Sequence, residues 1–314
     1  MTETLPRLQQ WGKVFATACL ACALGAATPA FAQKAVAAAL AAYNRGEPAA
    51  ALRLLYPLAD RGDREAQYTL GMVLEFGLDR PTEAAVWYGR ASDAGHAAAQ
   101  NSLGALHYDG RGVERDHARA RQLYSAAAKQ NYPMAQYNLA LMLGIGRGGG
   151  RDETSMVTWL TRAAESGYDR AAAQLGRLYY EGLGVERNTA TAARWFRGAA
   201  LQGHAEAQYY LGSLMQKGEG IPRNLEQAHQ WLEKAADQGH GPAAYQLGLT
   251  YEMGLGVAAN AGRSLHYYRR AAEADHAQAM ERLVQLYESG GMGVAPDPGM
   301  AQLWRLRLAS QKAD

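Results

Sequence analysis

Residues 169–204, DRAAAQLGRLYYEGLGVERNTATAARWFRGAALQGH, contain two helical patterns separated by a turn. The first pattern repeats apolar residues at i, i+4, i+7 and i+8, and the second at i, i+3, i+4, i+7 and i+8, which are the spacings of amphipathic helices. Gly182 and Gly184 between them suit a helix end and a turn, because glycine adopts positive φ without strain. Asn188 is a suitable N-cap for the second helix. The stretch therefore predicts a helix–turn–helix hairpin with two apolar faces that need partners.

The same hairpin recurs along the chain. Taking Leu175 as the anchor of the first helix, equivalent leucines lie 36 residues apart, except for a first step of 33. They are Leu70, Leu103, Leu139, Leu211, Leu247 and Leu283. The corresponding position of the second helix holds Trp87, Leu123, Trp159, Trp195, Trp231, Tyr267 and Trp304. We therefore predict a tandem helical-repeat protein, in which Trp195→Ala costs ~3–5 kcal/mol as a core truncation.

The repeat unit A-x-x-x-L-G-x-L-Y-x-x-G-x-G-V…A-x-x-W-F-x-x-A-A-x-x-G-H, as in residues 171–204, resembles the Sel-one-like repeat (SLR). This family belongs to the tetratricopeptide-like helical solenoids. The resemblance covers roughly residues 63–310 and departs locally at Gly148-Gly149-Gly150 and at Leu123. It implies an all-α, right-handed α-solenoid of about eight hairpins. It also implies a non-catalytic scaffold for protein interactions, often in bacterial envelopes or at host interfaces.

Residues 1–32 have the features of a secretory signal peptide. Arg7 and Lys13 precede a short apolar run at residues 14–27, and residues 30–32, Ala-Phe-Ala, fit the small-x-small cleavage rule. The run is shorter than the ~20 residues of a membrane-spanning helix. Lipidation at Cys19 or Cys22 is disfavoured, because the residues before each fit a lipidation motif poorly. We expect a periplasmic or secreted protein that begins at residue 33, without a stable membrane anchor.

The rest of the chain forms one uninterrupted series. Residues 33–62 predict a degenerate N-terminal capping hairpin that lacks the Leu-Gly and tryptophan signatures. Seven repeats follow over residues 63–314 and end in a capping helix from Pro298, so we expect one elongated domain. Residues 33–314 contain no cysteine and carry 30 basic and 29 acidic residues without a block of like charge. Nucleic acid and anionic membranes are therefore poor candidates for the partner.

No motif indicates an enzyme, a cofactor or a metal site. The histidines that follow the hairpin-closing glycines share one repeat position, and we interpret them as turn residues that pack their rings. They are His96, His204, His240 and His276. Residues 144–149 satisfy G-x-G-x-x-G, but a dinucleotide site also needs a strand and a βαβ unit. Walker A, G-x-S-x-G and S-x-x-K sequences are absent from the chain.

A partner is expected on the concave face, which the first helix of each hairpin lines. Positions −2, +2 and +5 from the anchor leucine lie off the packed stripe, and aromatic and arginine side chains dominate binding surfaces. The candidate partner-binding residues are Tyr68, Met72, Tyr108, Tyr137, Leu141, Arg177, Tyr180, Tyr209, Tyr245, Leu249 and Glu252. The tyrosines at position −2 have an equal alternative interpretation, as packing residues between repeats.

These observations leave three classes of function. The first is an exported scaffold that binds a protein or peptide in envelope signalling, polysaccharide export or host interaction. The second is an envelope enzyme acting on peptidoglycan or β-lactams, which the missing nucleophile motifs disfavour. The third is an architectural spacer within an envelope complex.

Overall fold

The computed structural model describes residues 30–311, which form helices joined by short turns. The predicted signal peptide, apart from its last three residues, lies outside the described part of the chain. Within residues 30–311, no helix has the length and apolar character needed to cross a membrane. The helices are α1 (Ala30–Asn44), α2 (Pro48–Ala59), α3 (Arg64–Met72), α4 (Pro81–Asp93), α5 (Ala97–Asp109), α6 (His117–Lys129), α7 (Pro133–Ile145), α8 (Glu153–Glu165), α9 (Asp169–Glu181), α10 (Thr189–Leu201), α11 (Ala205–Lys217), α12 (Leu225–Asp237), α13 (Gly241–Met253), α14 (Ala261–Glu273), α15 (Ala277–Ser289) and α16 (Pro298–Gln311).

Contacts between Cα atoms divide the chain after Asp116 into an N-terminal unit and a C-terminal unit. The N-terminal unit contains α1 to α5, and the C-terminal unit contains α6 to α16. The sequence predicts one continuous domain instead. Its repeat pattern gives no sign of this boundary, because the same helix and turn signals occur on both sides of it.

Within each unit, a second helix that has neighbours on both sides packs between the first helix of its own hairpin and that of the next, whereas α6 and α16, at the ends of the C-terminal unit, contact one first helix each within it. In the C-terminal unit, α10 packs against α9 and α11, and α12 packs against α11 and α13. Helix α9 also contacts α11, so first helices of successive hairpins are close neighbours there. This arrangement confirms the predicted all-α solenoid of stacked hairpins.

The Leu-Gly pair of the first helix makes room for an aromatic ring of the second helix. Leu175 and Phe196 are completely buried. A Cβ atom added at Gly176 would lie 2.6 Å from ring carbons of Phe196, and one at Gly248 would lie 2.6 Å from the ring of Tyr268. The glycine after the anchor leucine therefore allows the two helices of one hairpin to pack closely.

The turns follow from the glycine and asparagine positions. Gly182 is in the left-handed region with φ +75° and ends α9, where its N–H donates to the Leu178 carbonyl at 2.8 Å. Asn188 begins the second helix by accepting a hydrogen bond from the Thr191 N–H at 2.8 Å, as predicted. In the shorter first repeat, α3 continues into one π-helical turn, Val73–Gly77.

Candidate partner-binding site

The tyrosines at position −2 pack against the ring at the last position of the same repeat, just before the next first helix. Tyr245 stacks on His276 with ring centroids 4.7 Å apart, and Tyr209 lies 5.0 Å from the His240 ring. The same contact joins Tyr68 to His96 at 4.7 Å and Tyr137 to Tyr168 at 5.4 Å. The packing alternative therefore describes these four tyrosines. Tyr68 is buried, with 5% of its surface exposed, whereas Tyr137, Tyr209 and Tyr245 remain half-buried.

Two of the histidines in these contacts, His96 and His240, also cap the next helix, as does His204, whereas His276 makes no side-chain cap. The Nδ1 atoms of His96, His204 and His240 each accept a hydrogen bond from a backbone N–H three residues later, at 3.1, 3.4 and 3.2 Å. This bond requires an unprotonated Nδ1. Burial lowers the pKa of His204 and His276 and lowers that of His240 to about 4. Ring contacts thus support the interpretation of His96, His240 and His276 as turn residues that pack their rings, and His204 is a helix-capping residue at the same repeat position.

The residues at position +5 pair with position −1 of the following repeat. Tyr180 lies 5.5 Å from the ring of Tyr210, and Gln246 Nε2 donates to Gln216 Oε1 at 2.6 Å. Glu252 follows the same rule. It forms an ion pair with Arg282 and accepts a hydrogen bond from the Tyr268 hydroxyl. Glu252, a predicted partner-binding residue, thus already has two partners within the protein.

Tyr210 is a site residue that the sequence reasoning missed. Its ring stacks on Phe196 at 4.7 Å and lies 5.3 Å from Tyr209, so it connects Tyr209 and Tyr180 in one aromatic group. Burial raises the pKa of its hydroxyl to about 12, so the group is neutral. Helical spacing could have found it, because positions −1, +2 and +5 are three residues apart and share one face.

The residues at position +2 differ between the two units. Met72 in the N-terminal unit is buried, with 6% exposed, and Tyr108 nearby is half-buried. In the C-terminal unit, Leu141, Arg177 and Leu249 are half-buried at the surface. Arg177 Nη2 donates to Gln174 Oε1 at 3.2 Å, whereas its Nε finds no hydrogen-bond partner among the described residues. Most of the accessible predicted residues therefore lie in the C-terminal unit, whereas Tyr108 is the accessible one in the N-terminal unit.

A buried acid in the N-terminal unit has a structural role. Glu75 accepts a hydrogen bond from the Tyr88 hydroxyl at 2.8 Å and forms an ion pair with Arg111 at 2.7 Å. Burial raises the pKa of Glu75, and the two donors satisfy its oxygens. Glu252 likewise accepts from a tyrosine of its own hairpin and pairs with an arginine of the next repeat, although Arg111 lies eight residues after its anchor leucine and Arg282 directly before its own, so position +5 links repeats in both units. Among residues 30–311, no group of three or more His, Cys, Asp or Glu side chains is placed to hold a metal ion.

Comparison with known proteins agrees with this geometry. The Sel1 repeat family model matches residues 64–96, 97–132, 133–168, 169–204, 205–240, 241–276 and 277–312. No curated protein matches the chain. Among solved structures, the chain is similar to a protective antigen present in uropathogenic Escherichia coli strains that displays an SLR fold, with 30% identity and a TM-score of 0.78. That match covers 89% of this chain and 62% of the antigen, so this chain spans less than two thirds of that relative.

A Sel1 repeat protein from Oxalobacter formigenes is also similar, with 29% identity and a TM-score of 0.71 over 77% of this chain and 96% of the other. Sel1 repeat proteins generally act as scaffolds for protein–protein interactions, and their fold is typically non-catalytic. Seven consecutive matches, the Leu-Gly packing and the capped turns lead to one conclusion: this chain belongs to the Sel1 repeat family.

Proposed function

We propose that this protein is an exported, non-catalytic scaffold that binds a partner protein or extended peptide through the first-helix face of its C-terminal unit. The observation that carries the proposal is the accessible row at position +2, Leu141, Arg177 and Leu249, beside the aromatic group of Tyr180, Tyr209 and Tyr210. Apolar, aromatic and arginine side chains in one half-buried surface are typical of binding hot spots.

The export part of the proposal rests on the signal-peptide features of residues 1–32. Similarity to a protective antigen supports a role in host interaction. We therefore favour host interaction over envelope signalling and polysaccharide export as the setting of this protein. Expression in a bacterium with a secretory pathway, followed by N-terminal sequencing of the exported protein, tests this step. We expect Gln33 as the first residue. An uncleaved protein retained inside the cell would contradict it.

The binding face is tested with the double variant Arg177→Glu, Leu249→Lys. Both side chains are half-buried and neither belongs to the fully buried core, although Leu249 packs against it, so we expect the fold to survive and the face to lose its partner. Arg197→Glu is the matched control, because Arg197 is exposed on the second helix α10. Thermal melts followed by circular dichroism establish that each variant is folded.

Crosslinked pull-downs from envelope, culture-supernatant and host-cell fractions then compare the three proteins. We expect one partner to be recovered with the wild type and with Arg197→Glu, and lost from the double variant. A partner that the double variant retains would show that another face binds. The absence of any specific partner would favour the architectural spacer.

A further inference from the structure

A hollow of about 680 Å³ lies between the second helices α6 and α8, with α7 as its floor. Trp159 of α8 forms one wall, and the short side chains of Ser125 and Ala126 on α6 form the other. Leu139 and Leu143 supply an apolar floor. The hollow is thus lined by an indole ring and aliphatic groups and is open to solvent on the second-helix side, away from the proposed binding face.

The hollow exists where this repeat departs from the other copies. Three residues after the aromatic position, five copies carry a cation that lies over that aromatic ring at 4.3 to 5.9 Å. The cations are Arg90, Arg162, Lys234, Arg270 and Arg307. Helix α6 instead has Leu123 at the aromatic position and Ala126 at the cation position. Helix α10 also lacks the cation, with Gly198 at that position, but it keeps Trp195, so α6 is the one of the seven copies that lacks both groups.

The charges around the hollow depart from the repeat in the same way. In two other copies this cation reaches back to an acid near the end of the preceding second helix: Arg270 pairs with Asp237 at 3.0 Å, and Arg90 lies 3.8 Å from Asp60. Arg162 of α8 and Lys129 of α6 occupy the same two repeat positions as Arg270 and Asp237. Within residues 30–311 neither forms an ion pair, since a lysine stands where the acid should be.

A third cation borders the hollow near the start of α8. Arg121 donates from Nη1 to the Gly150 carbonyl at 3.1 Å. A Cβ atom at Gly149 would lie 2.3 Å from this Nη1, so the glycine run that replaces the usual turn ending makes room for the guanidinium. The acid at this end, Asp152, caps α8 by accepting the Ser155 N–H at 2.9 Å. Two cations, Arg121 and Lys129, and one carboxylate therefore line the hollow, and Arg162 lies beside it, over the ring of Trp159.

We propose that this hollow binds an acidic peptide segment whose apolar side chain enters beside Trp159 while its carboxylate pairs with Lys129 and Arg162. The carboxylate takes the place of the acid that other repeats supply themselves. Positions 126 and 129 are one helical turn apart, ~5–6 Å between Cβ atoms. Side chains at i and i+2 of an extended peptide lie on one side, ~7 Å apart. The expected sequence is thus an apolar residue followed two positions later by Glu or Asp.

The test uses a fluorescein-labelled peptide, Gly-Ser-Phe-Ser-Glu-Ser-Gly, and fluorescence anisotropy with the full chain. We expect saturable binding that weakens about tenfold when the peptide glutamate is replaced by glutamine, because a desolvated ion pair is lost. Replacing the phenylalanine by glycine should weaken binding at least as much. Failure of the wild-type protein to bind, or equal binding of the glutamine peptide, would overturn the proposal.

Three variants separate a shaped site from general attraction to positive charge. Lys129→Asp restores the usual acid, which should pair with Arg162 and reduce peptide binding about tenfold, with a thermal midpoint no lower than that of the wild type. Ala126→Arg restores the usual bulk and adds a positive charge. It should abolish binding if the hollow is the site and strengthen binding if charge alone attracts the peptide, which would overturn the proposal. Arg197→Ala removes an exposed charge elsewhere and should leave binding unchanged.

Discussion

Trp195 and Phe196 are adjacent in α10, but only the phenylalanine is completely buried. Phe196 lies against Gly176 and stacks on Tyr210, whereas Trp195 is half-buried at the edge of the same core cluster. We therefore expect Phe196→Ala to cost ~3–5 kcal/mol of unfolding free energy, as a large truncation in a core. Trp195→Ala should cost ~1–2 kcal/mol, since part of its ring already contacts water. Urea unfolding of both variants measures the two values.

The value for Trp195→Ala is smaller than the ~3–5 kcal/mol that the sequence pattern predicts for it as a core truncation. The repeat pattern marks the tryptophan because it recurs in register, but recurrence does not measure burial. Equal costs for Trp195→Ala and Phe196→Ala would show that the tryptophan edge is buried in solution, and would restore the original assignment. Gly198→Ala is a suitable control, because a Cβ atom there meets nothing within 4 Å.

The sequence predicts the roles of residues that carry a strong local signal. It does not predict the roles of residues whose contacts lie in an adjacent repeat. Leu175 and Gly176 follow directly from the 36-residue spacing and the apolar stripe. Gln246 at position −1 is polar and carries no hydrophobic signal, although it pairs across the repeat boundary with Gln216. Glu252 was predicted to face a partner. The sequence does not reveal its ion pair with Arg282, because that pair depends on how two repeats stack rather than on either repeat alone.

The start of each first helix depends on the residue after the closing glycine. In α13 this residue is His240, whose Nδ1 accepts the Ala243 N–H while its ring packs on Tyr209. Burial, together with the positive charges of His204 and His276, lowers its pKa to about 4. An unfolded chain binds this proton near pH 6.5. Between about pH 6.5 and 4 the unfolded state therefore holds more protons, and the unfolding free energy falls as the pH is lowered through this range.

His240→Asn tests this pH dependence, because asparagine also caps helices and does not titrate. We expect urea unfolding free energies measured from pH 7.5 to pH 4 to fall less steeply for His240→Asn than for the wild type. His266→Asn is the control, since His266 is exposed on α14 and should leave the slope unchanged. Identical slopes for all three proteins would show that His240 is not shielded from water as its contacts indicate.

The element boundaries were mostly predictable, because their causes are local. Gly182 ends α9 and Asn188 begins α10 through contacts within a few residues. The π-helical turn at Val73–Gly77 was not predicted. This turn directly precedes the shortened loop of the first repeat. No single residue type marks a π-helical turn, so the sequence pattern does not predict it.

At the scale of the C-terminal unit, stability should vary with the number of neighbours that each hairpin has. Helix α10 is packed on both sides, by α9 and α11, whereas α16 is packed by α15 and exposes Leu303 and Leu306. In a stack with only nearest-neighbour contacts, a terminal hairpin opens without disturbing the inner ones. We therefore expect amide hydrogen exchange to be slowest in α9 to α12 and to become faster through α15 and α16.

The variant Trp304→Ala tests this expectation. Trp304 is 5% exposed and belongs to the core cluster that joins α16 to α14 and α15, so its loss should weaken the terminal hairpin. The variant should speed exchange in α15 and α16 well before it changes exchange in α9 to α12, as mass spectrometry of peptic fragments can show. Phe196→Ala should do the opposite and weaken protection in α9 to α12 most. If either variant speeds exchange equally throughout the unit, its hairpins unfold in one cooperative step. Contacts beyond nearest neighbours would then have to contribute a large share of its stability.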